Sequence, residues 1–243
     1  MHLRTAVVTG ASGDIGRAIA ARLAAGGHRV VLVARRRDAL EAAAASIGEA
    51  ALVLAADVTD PAWTDALGEA APEIDVVVHA AAAYAPFGLL EATTPDDDAR
   101  VFAVGPLAAA RLVRAALPGM KARGFGRVVL IGSLVGAIGG HGQAAYASAK
   151  AALSGLARSV ALEGGARGVT ANVVELGLVD TARVRAAVGA EAIARLMRAT
   201  PVGRAGAPSE VAAAVSFLCS GEAALVTGAV LPMTGGLGLG LPR

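Results

Sequence analysis

Tyr146 and Lys150 form a Tyr-x-x-x-Lys pair, the part of the sequence most able to do chemistry. The chain holds 2 tyrosines, so such a pair arises by chance with a probability on the order of 1–2%. Residues i and i+4 of a helix lie on one face, which places the lysine ammonium beside the phenol. A neighbouring cation stabilises a phenolate and lowers its pKa from about 10. We therefore expect Tyr146 to exchange a proton near neutral pH.

Ser133 is predicted to complete this group. It follows the apolar run 127–132 (RVVLIG), which is typical of a buried strand, and it precedes the helix predicted to carry Tyr146 and Lys150. Open α/β sheets bind ligands at the carboxyl ends of their strands. A serine hydroxyl there can hydrogen-bond a substrate oxygen whose charge changes during reaction. The three residues together indicate proton transfer at a substrate oxygen.

A glycine-rich loop near the N-terminus is predicted to bind the phosphates of a dinucleotide. The strand 4–9 runs into Thr9-Gly10-Ala11-Ser12-Gly13-Asp14-Ile15-Gly16, and a helix follows. Glycines allow the backbone to turn sharply and to approach a pyrophosphate, while the helix N-terminus supplies free N–H groups. This strand–loop–helix context favours dinucleotide binding over a purely structural turn.

The residues after the second predicted strand indicate which dinucleotide binds. An acidic residue there would bind the ribose 2′-OH of NAD, but Arg35, Arg36 and Arg37 follow the strand instead. Guanidinium groups pair well with phosphate, so Arg35 and Arg36 predict NADP; the alternative is a solvated start of a helix. After the third strand, Asp57 and Val58 form either a turn or a platform near the adenine ring, and the sequence leaves both readings open.

The order of elements indicates an α/β fold. The apolar runs are continuous rather than alternating, which is typical of parallel strands covered by helices on both faces. We predict a doubly wound, Rossmann-like parallel seven-stranded sheet in one domain over residues 1–243. The remaining strands are predicted at 29–34, 51–55, 75–79, 169–174 and 227–231, and the main helices at 15–25, 37–47, 96–120, 144–163, 182–198 and 208–219.

Composition excludes several function classes. The chain is 55% hydrophobic and 17% charged, which excludes a disordered protein. Its basic residues are scattered and aromatics make up 3%, so we expect no nucleic-acid partner. The two uncharged stretches, 128–149 and 223–242, contain polar residues and many glycines, so we expect no membrane span. A single cysteine, Cys219, and the lack of a signal peptide predict a cytoplasmic location.

With these motifs in order, the sequence resembles the short-chain dehydrogenase/reductase family over nearly its whole length, and the β-ketoacyl reductase branch in particular. The later segments 201–204 (PVGR), 226–228 (VTG) and Gly235-Gly236 also match. The resemblance implies hydride transfer between NADP(H) and a ketone or β-ketoacyl-type carbonyl, in either direction and without a metal. It implies that Tyr146 is the acid/base, that Lys150 assists it and holds the nicotinamide ribose, and that Ser133 orients the carbonyl.

The resemblance also implies a set of cofactor contacts and partners. We expect a small-molecule or acyl-thioester substrate and a homotetramer or homodimer that pairs through the helices at 96–120 and 144–163 and the C-terminal strand region. The implied cofactor-binding residues are Gly10, Ser12, Gly13, Asp14, Ile15, Gly16, Arg35, Arg36, Asp57, Val58, Ala80, Ala81, Tyr146, Lys150, Gly177 and Val179.

Several positions depart from the family pattern. Asp14 replaces a glycine, where its carboxylate would repel a pyrophosphate unless it points away. His79-Ala80-Ala81-Ala82 stands for the usual Asn-Asn-Ala-Gly, and Glu175 precedes Leu176-Gly177 in place of Pro-Gly. Gly105 replaces a fourth catalytic residue, an asparagine. With Pro106 it should disturb the helix, so that the proton relay from Lys150 runs through a water held by the freed backbone carbonyls or through another side chain, or is slow.

These departures keep a second class of function open, a non-redox enzyme (cyclisation, elimination or isomerisation) or a cofactor-binding regulator on the same fold. His79 is either packed beside the cofactor or part of a proton relay. His141 either touches substrate or is solvated. The helix predicted at 182–198 carries a basic cluster, which is either a solvated helix face or a lid for anionic substrates. This cluster comprises Arg183, Arg185, Arg195 and Arg198.

Overall fold

The computed structural model describes residues 3–239, and these residues form one seven-stranded parallel sheet. The strand order is β3-β2-β1-β4-β5-β6-β7, which confirms the predicted fold class. The strands are β1 (Thr5–Thr9), β2 (Arg29–Ala34), β3 (Ala51–Ala55), β4 (Val76–His79), β5 (Gly126–Ser133), β6 (Val169–Leu176) and β7 (Val230–Met233).

Helices cover both faces of this sheet. The layer of α1, α2 and α10 packs on one face, and α3, α5 and α7 pack on the other. The helices are α1 (Asp14–Ala25), α2 (Arg37–Ile47), α3 (Trp63–Ala70), α4 (Pro95–Phe102), α5 (Ala108–Arg123), α6 (Val135–Ile138), α7 (Ala144–Gly164), α8 (Ala182–Ala187), α9 (Ala190–Ala199) and α10 (Pro208–Cys219).

The continuous apolar runs of the strands are explained by these two layers. In β1, Val7 belongs to the core under α5 and α7, while Val8 belongs to the core under α1 and α10. Side chains of a strand alternate between the two faces of a sheet, so a sheet buried on both faces needs apolar residues at every position. Val7 and Val8 are both fully buried.

The long fourth helix is interrupted, as its Gly-Pro pair predicts. Between α4 and α5, residues 103–107 form a π-helical segment in which Gly105 leaves helical geometry, with φ −84° and ψ −108°. By length and composition alone, the stretch Pro95–Arg123 could cross a membrane, with a mean hydropathy of 1.4 over its most apolar window. Its residues Leu112 and Met120 lie in the core against the sheet, as expected of a helix that covers a sheet.

The register of the sheet brings the ends of its central strands together. Thr9 of β1 pairs with His79 of β4, and Ser133 of β5 pairs with Leu176 of β6. The strand order reverses between β1 and β4, and open α/β sheets bind their ligands in the crevice at such a switch point. The fold therefore places the glycine-rich loop and Ser133 at the same edge.

Candidate active site

The glycine-rich loop is closely packed against the loop after β4. Gly10 has a φ of +69°, and a Cβ there would lie 2.8 Å from the backbone of Ala80 and Ala81. A Cβ at Gly16 would lie 2.3 Å from the Gly10 carbonyl oxygen. Both positions thus require glycine. The first turn of α1, which follows Gly13, leaves backbone N–H groups without helical partners, as a phosphate-binding loop requires.

The Asp14 carboxylate accepts hydrogen bonds from two groups, so it has a structural role. Arg17 Nη2 donates to Asp14 Oδ1 at 2.9 Å, and the backbone N–H of Ala182 donates to Oδ2 at 2.7 Å. Ala182 is the first residue of α8. The carboxylate that stands where the family has glycine is therefore paired with a cation, and it links the glycine-rich loop to the start of α8.

The predicted cofactor-selecting residues lie at the ends of β2 and β3. Arg35 follows β2 directly and Arg36 precedes α2, and both are exposed. Asp57 accepts hydrogen bonds from the Thr59 N–H at 2.9 Å and from its hydroxyl at 2.7 Å. The Thr59 backbone, and more weakly the positive charge of Arg35, lower the pKa of Asp57. These hydrogen bonds form a turn at Asp57, and the interpretation of Asp57 and Val58 as a platform near the adenine ring stays a prediction.

Ser133, Tyr146 and Lys150 line one cavity of about 510 Å³ at the carboxyl edge of the sheet. Ser133 ends β5, while Tyr146 and Lys150 lie one turn apart in α7. The lining also includes four residues of the predicted cofactor set, which are Ile15, Ala80, Gly177 and Val179. The structure thus brings the three predicted catalytic side chains together with part of the predicted cofactor site.

The expectation that Lys150 lowers the pKa of Tyr146 is wrong for this arrangement. Burial raises the pKa of Tyr146 well above its usual range, Tyr84 raises it further, and Ser133 and Arg183 oppose this only in part. Lys150 Nζ donates to the Ile131 carbonyl at 2.7 Å and lies 5.6 Å from the Tyr146 ring centroid. Its charge is therefore directed at that carbonyl, and Tyr146 stays protonated at neutral pH.

His79 hydrogen-bonds to a carbonyl at the helix break, and the water expected at that break stays a prediction. Its Nε2 lies 3.1 Å from the Val104 oxygen and its Nδ1 lies 2.9 Å from Thr9 Oγ1. Burial, together with the charge of Lys150, lowers the pKa of His79 to about 3. The ring is therefore neutral, and because a carbonyl only accepts, Nε2–H donates to Val104. His79 is thus packed inside the protein, which agrees with the first of the two interpretations of this residue from the sequence.

The other residues that depart from the family pattern, and the other candidate residues in loops, take less part in the site. Glu175 is half-buried, and burial raises its pKa. His141 is exposed, whereas Gln143 of the same loop lines the cavity. Arg185 forms an ion pair with Asp180 on the surface, as expected of a solvated helix face.

Tyr84 and Arg183 are site residues that the sequence reasoning missed or left undecided. The ring of Tyr84 stacks on Tyr146, with centroids 4.9 Å apart and an interplanar angle of 18°. Arg183 of α8 places its guanidinium carbon 3.6 Å from the centroid of the Tyr84 ring. One signal was available, because Tyr84 is one of only 2 tyrosines and lies in the loop directly after β4.

Comparison with known proteins agrees with this geometry. Residues 10–238 match the family model described as enoyl-(acyl carrier protein) reductase. The 3-oxoacyl-[acyl-carrier-protein] reductase FabG of Escherichia coli (strain K12) is 37% identical over 238 residues, covering 96% of this chain and 97% of its own. A solved short chain dehydrogenase/reductase family protein is 35% identical with a TM-score of 0.90, covering 97% of this chain and 98% of its own. YwfH, an NADPH dependent reductase involved in bacilysin biosynthesis, is 25% identical with a TM-score of 0.91, covering 99% and 100%. The chain belongs to the short-chain dehydrogenase/reductase family.

Proposed function

We propose that this oxidoreductase transfers a hydride from NADPH to a ketone or a β-ketoacyl-type carbonyl. The observation that carries the proposal is the convergence of Ser133, Tyr146 and Lys150 on one cavity at the strand ends. That cavity continues to Ile15 and Ala80, beside the glycine-rich loop. A proton donor therefore lies next to the crevice where a dinucleotide binds in this kind of sheet.

The residues present fit NADP. Gly10 and Gly16 leave room for no side chain, and the free N–H groups at the start of α1 suit a pyrophosphate. Arg35 and Arg36 are exposed where NAD-binding proteins place a carboxylate, and they suit a 2′-phosphate. YwfH is named as NADPH dependent, which supports the same choice. When bound, the reduced nicotinamide supplies the hydride.

The side chains supply the proton and hold the carbonyl. Tyr146 is protonated at neutral pH, because burial raises its pKa, so its hydroxyl can donate a proton to the oxygen as negative charge develops there. Ser133 lies at the end of β5 within the same cavity and can donate a hydrogen bond to that oxygen. Burial lowers the pKa of Lys150 to about 8, which leaves it mainly cationic at pH 7, where it can hold the nicotinamide ribose.

The cavity and the surface also bear on substrate and assembly. The apolar side chains of Phe87, Val184 and Val188 line the outer part of the cavity and suit an acyl chain. FabG is named as acting on 3-oxoacyl groups carried by acyl-carrier protein, which supports an acyl thioester as substrate.

Leu107 before α5 and Leu162 in α7 are 58% and 87% exposed, which supports pairing of subunits through these helices. We place the enzyme in the cytoplasm.

The direct test is NADPH oxidation followed by absorbance with a panel of 3-oxoacyl thioesters and simple ketones. We expect turnover with at least one β-ketoacyl thioester, faster with NADPH than with NADH. The Tyr146→Phe protein is the matched control, because it keeps the ring and loses the proton donor. Tight NADPH binding without reduction of any carbonyl in the panel would overturn the proposal and favour the non-redox alternative.

A further inference from the structure

The ring of Tyr84 is held between the catalytic tyrosine and an arginine of α8. One side stacks on Tyr146, with ring centroids 4.9 Å apart. Arg183 places its guanidinium carbon 3.6 Å from the centroid of the same ring. Aromatic pairs in offset stacks and cations over aromatic faces both attract. Tyr84, Tyr146 and Arg183 all line the 510 Å³ cavity, so the stack lies within the site.

The helix that carries Arg183 is short and exposed, and contacts at its start set its position. Thr181 caps it by accepting a hydrogen bond from the Val184 N–H at 3.1 Å. Asp14 accepts a second hydrogen bond from the Ala182 N–H. Val184 lines the cavity from the same helix. Movement of α8 therefore changes both the outer wall of the cavity and the cation over Tyr84.

We propose that Tyr84 is a positioning residue, which holds the ring of Tyr146 by stacking and couples it to Arg183, so that the placement of α8 governs how the proton donor meets the carbonyl. The inference rests on the proposed function of Tyr146 as that donor. It assigns to Tyr84 an action through Tyr146 rather than through the substrate.

Four polar groups face the Tyr146 side chain, and their effects on it differ in sign. Tyr84, from the loop after β4, raises the pKa of Tyr146, whereas Ser133 of β5 and Arg183 of α8 lower it. Lys150, from the same helix as Tyr146, lies 5.6 Å from the ring centroid.

The first experiment is the kcat and KM of carbonyl reduction in single and double variants. Tyr84→Leu, which removes the stack, should lower kcat by about 2- to 10-fold while KM for NADPH stays nearly constant, and Tyr84→Phe, which keeps the ring, should retain more of kcat than Tyr84→Leu. Arg183→Met removes the cation over the Tyr84 ring, so it should lower kcat in the unmodified protein and add little to Tyr84→Leu. Arg185→Met is the matched control, since Arg185 lies on the same helix but pairs with Asp180, and its kcat should not change. An unchanged kcat in Tyr84→Leu, or a loss from Arg183→Met that is undiminished in the double variant, overturns the proposal.

A second experiment needs no turnover and separates this proposal from the proposed function. Stacked aromatic rings couple their near-ultraviolet transitions, so the circular dichroism of the cofactor-free protein reports on the pair. We expect Tyr84→Leu and Tyr146→Leu to remove largely the same signal, with little further loss in the double variant. Additive losses would show that the rings do not stack in solution and would overturn the role of Tyr84, even if carbonyl reduction is confirmed. Non-additive losses support the stack, even if no carbonyl is reduced.

Discussion

Replacement of His79 by asparagine tests the most unusual buried group in the site. His79 is 1% exposed and bridges Thr9 of β1 and the Val104 carbonyl in the helix break. Its pKa is about 3 in the folded chain, whereas an unfolded histidine titrates near 6.5. Because the folded pKa is depressed, the stability tied to neutral His79 is complete above pH 6.5 and is lost as the pH falls towards 3.

The size of this loss follows from the two pKa values. Between pH 8 and pH 5 only the unfolded chain takes up the proton, and the free energy of unfolding should fall by about 2 kcal/mol on that account. Asparagine can still donate to Val104 and accept from Thr9, so the His79→Asn protein should fold. It carries no titrating ring at this position. The stability difference between the two proteins should thus shrink by about 2 kcal/mol from pH 8 to pH 5.

Urea unfolding at both pH values measures this difference. His28, whose pKa is also lowered by burial, is present in both proteins and cancels. His141→Asn is the matched control, because it makes the same substitution at an exposed histidine. Equal pH dependence for the unmodified protein and His79→Asn would show that His79 is not held neutral in the fold.

Three further perturbations address the cofactor, the proton donor and the helix break. Arg35→Asp should weaken NADPH binding and improve NADH binding, shifting the preference by about tenfold or more; equal affinity of the unmodified protein for both cofactors would contradict the role of Arg35. Tyr146→Phe should lower kcat by about 10²–10⁴-fold while NADPH affinity, measured by fluorescence titration, stays nearly constant; retained turnover would exclude Tyr146 as the donor. Gly105→Asn should raise kcat by up to about 30-fold without changing NADPH affinity. The structure has room for the substitution, because a Cβ at Gly105 meets only the Ala149 methyl at 3.7 Å. An unchanged kcat would indicate that this position no longer serves the proton path.

The fold was predictable because it follows from local patterns that act together. Seven continuous apolar runs alternate with helical stretches, and strands buried on both faces need that pattern. The helix break was also predictable, because Gly105 and Pro106 each oppose a helix interior. The predicted helix at 182–198 is two helices in the structure, α8 and α9, with a break at Gly189. Gly189 is a poor helix former, so the sequence holds a signal of this break that the spacing of the charged residues does not reveal.

The site was predictable in its residues more than in its interactions. Motif spacing identifies Ser133, Tyr146 and Lys150, because the residues of each motif are local in sequence. The direction of the Lys150 ammonium towards Ile131 depends on how α7 packs against β5, which no spacing reports. The stack of Tyr84 on Tyr146 joins residues that lie far apart in the sequence. Such contacts are set by tertiary packing. The sequence pattern therefore predicts that these residues lie at the same edge of the sheet, but it does not predict that they are in contact.

The departures from the family pattern are connected in space. The break at Gly105 leaves the Val104 carbonyl available, and His79, which replaces an asparagine, hydrogen-bonds to it. Asp14, which replaces a glycine, bonds to the Ala182 N–H of the helix whose Arg183 lies over Tyr84. His79 thus meets a carbonyl at the helix break, and Asp14 meets the start of the helix that carries Arg183. Residues that share a hydrogen bond often show non-additive effects when they are replaced, so His79→Asn and Gly105→Asn should not act independently on stability.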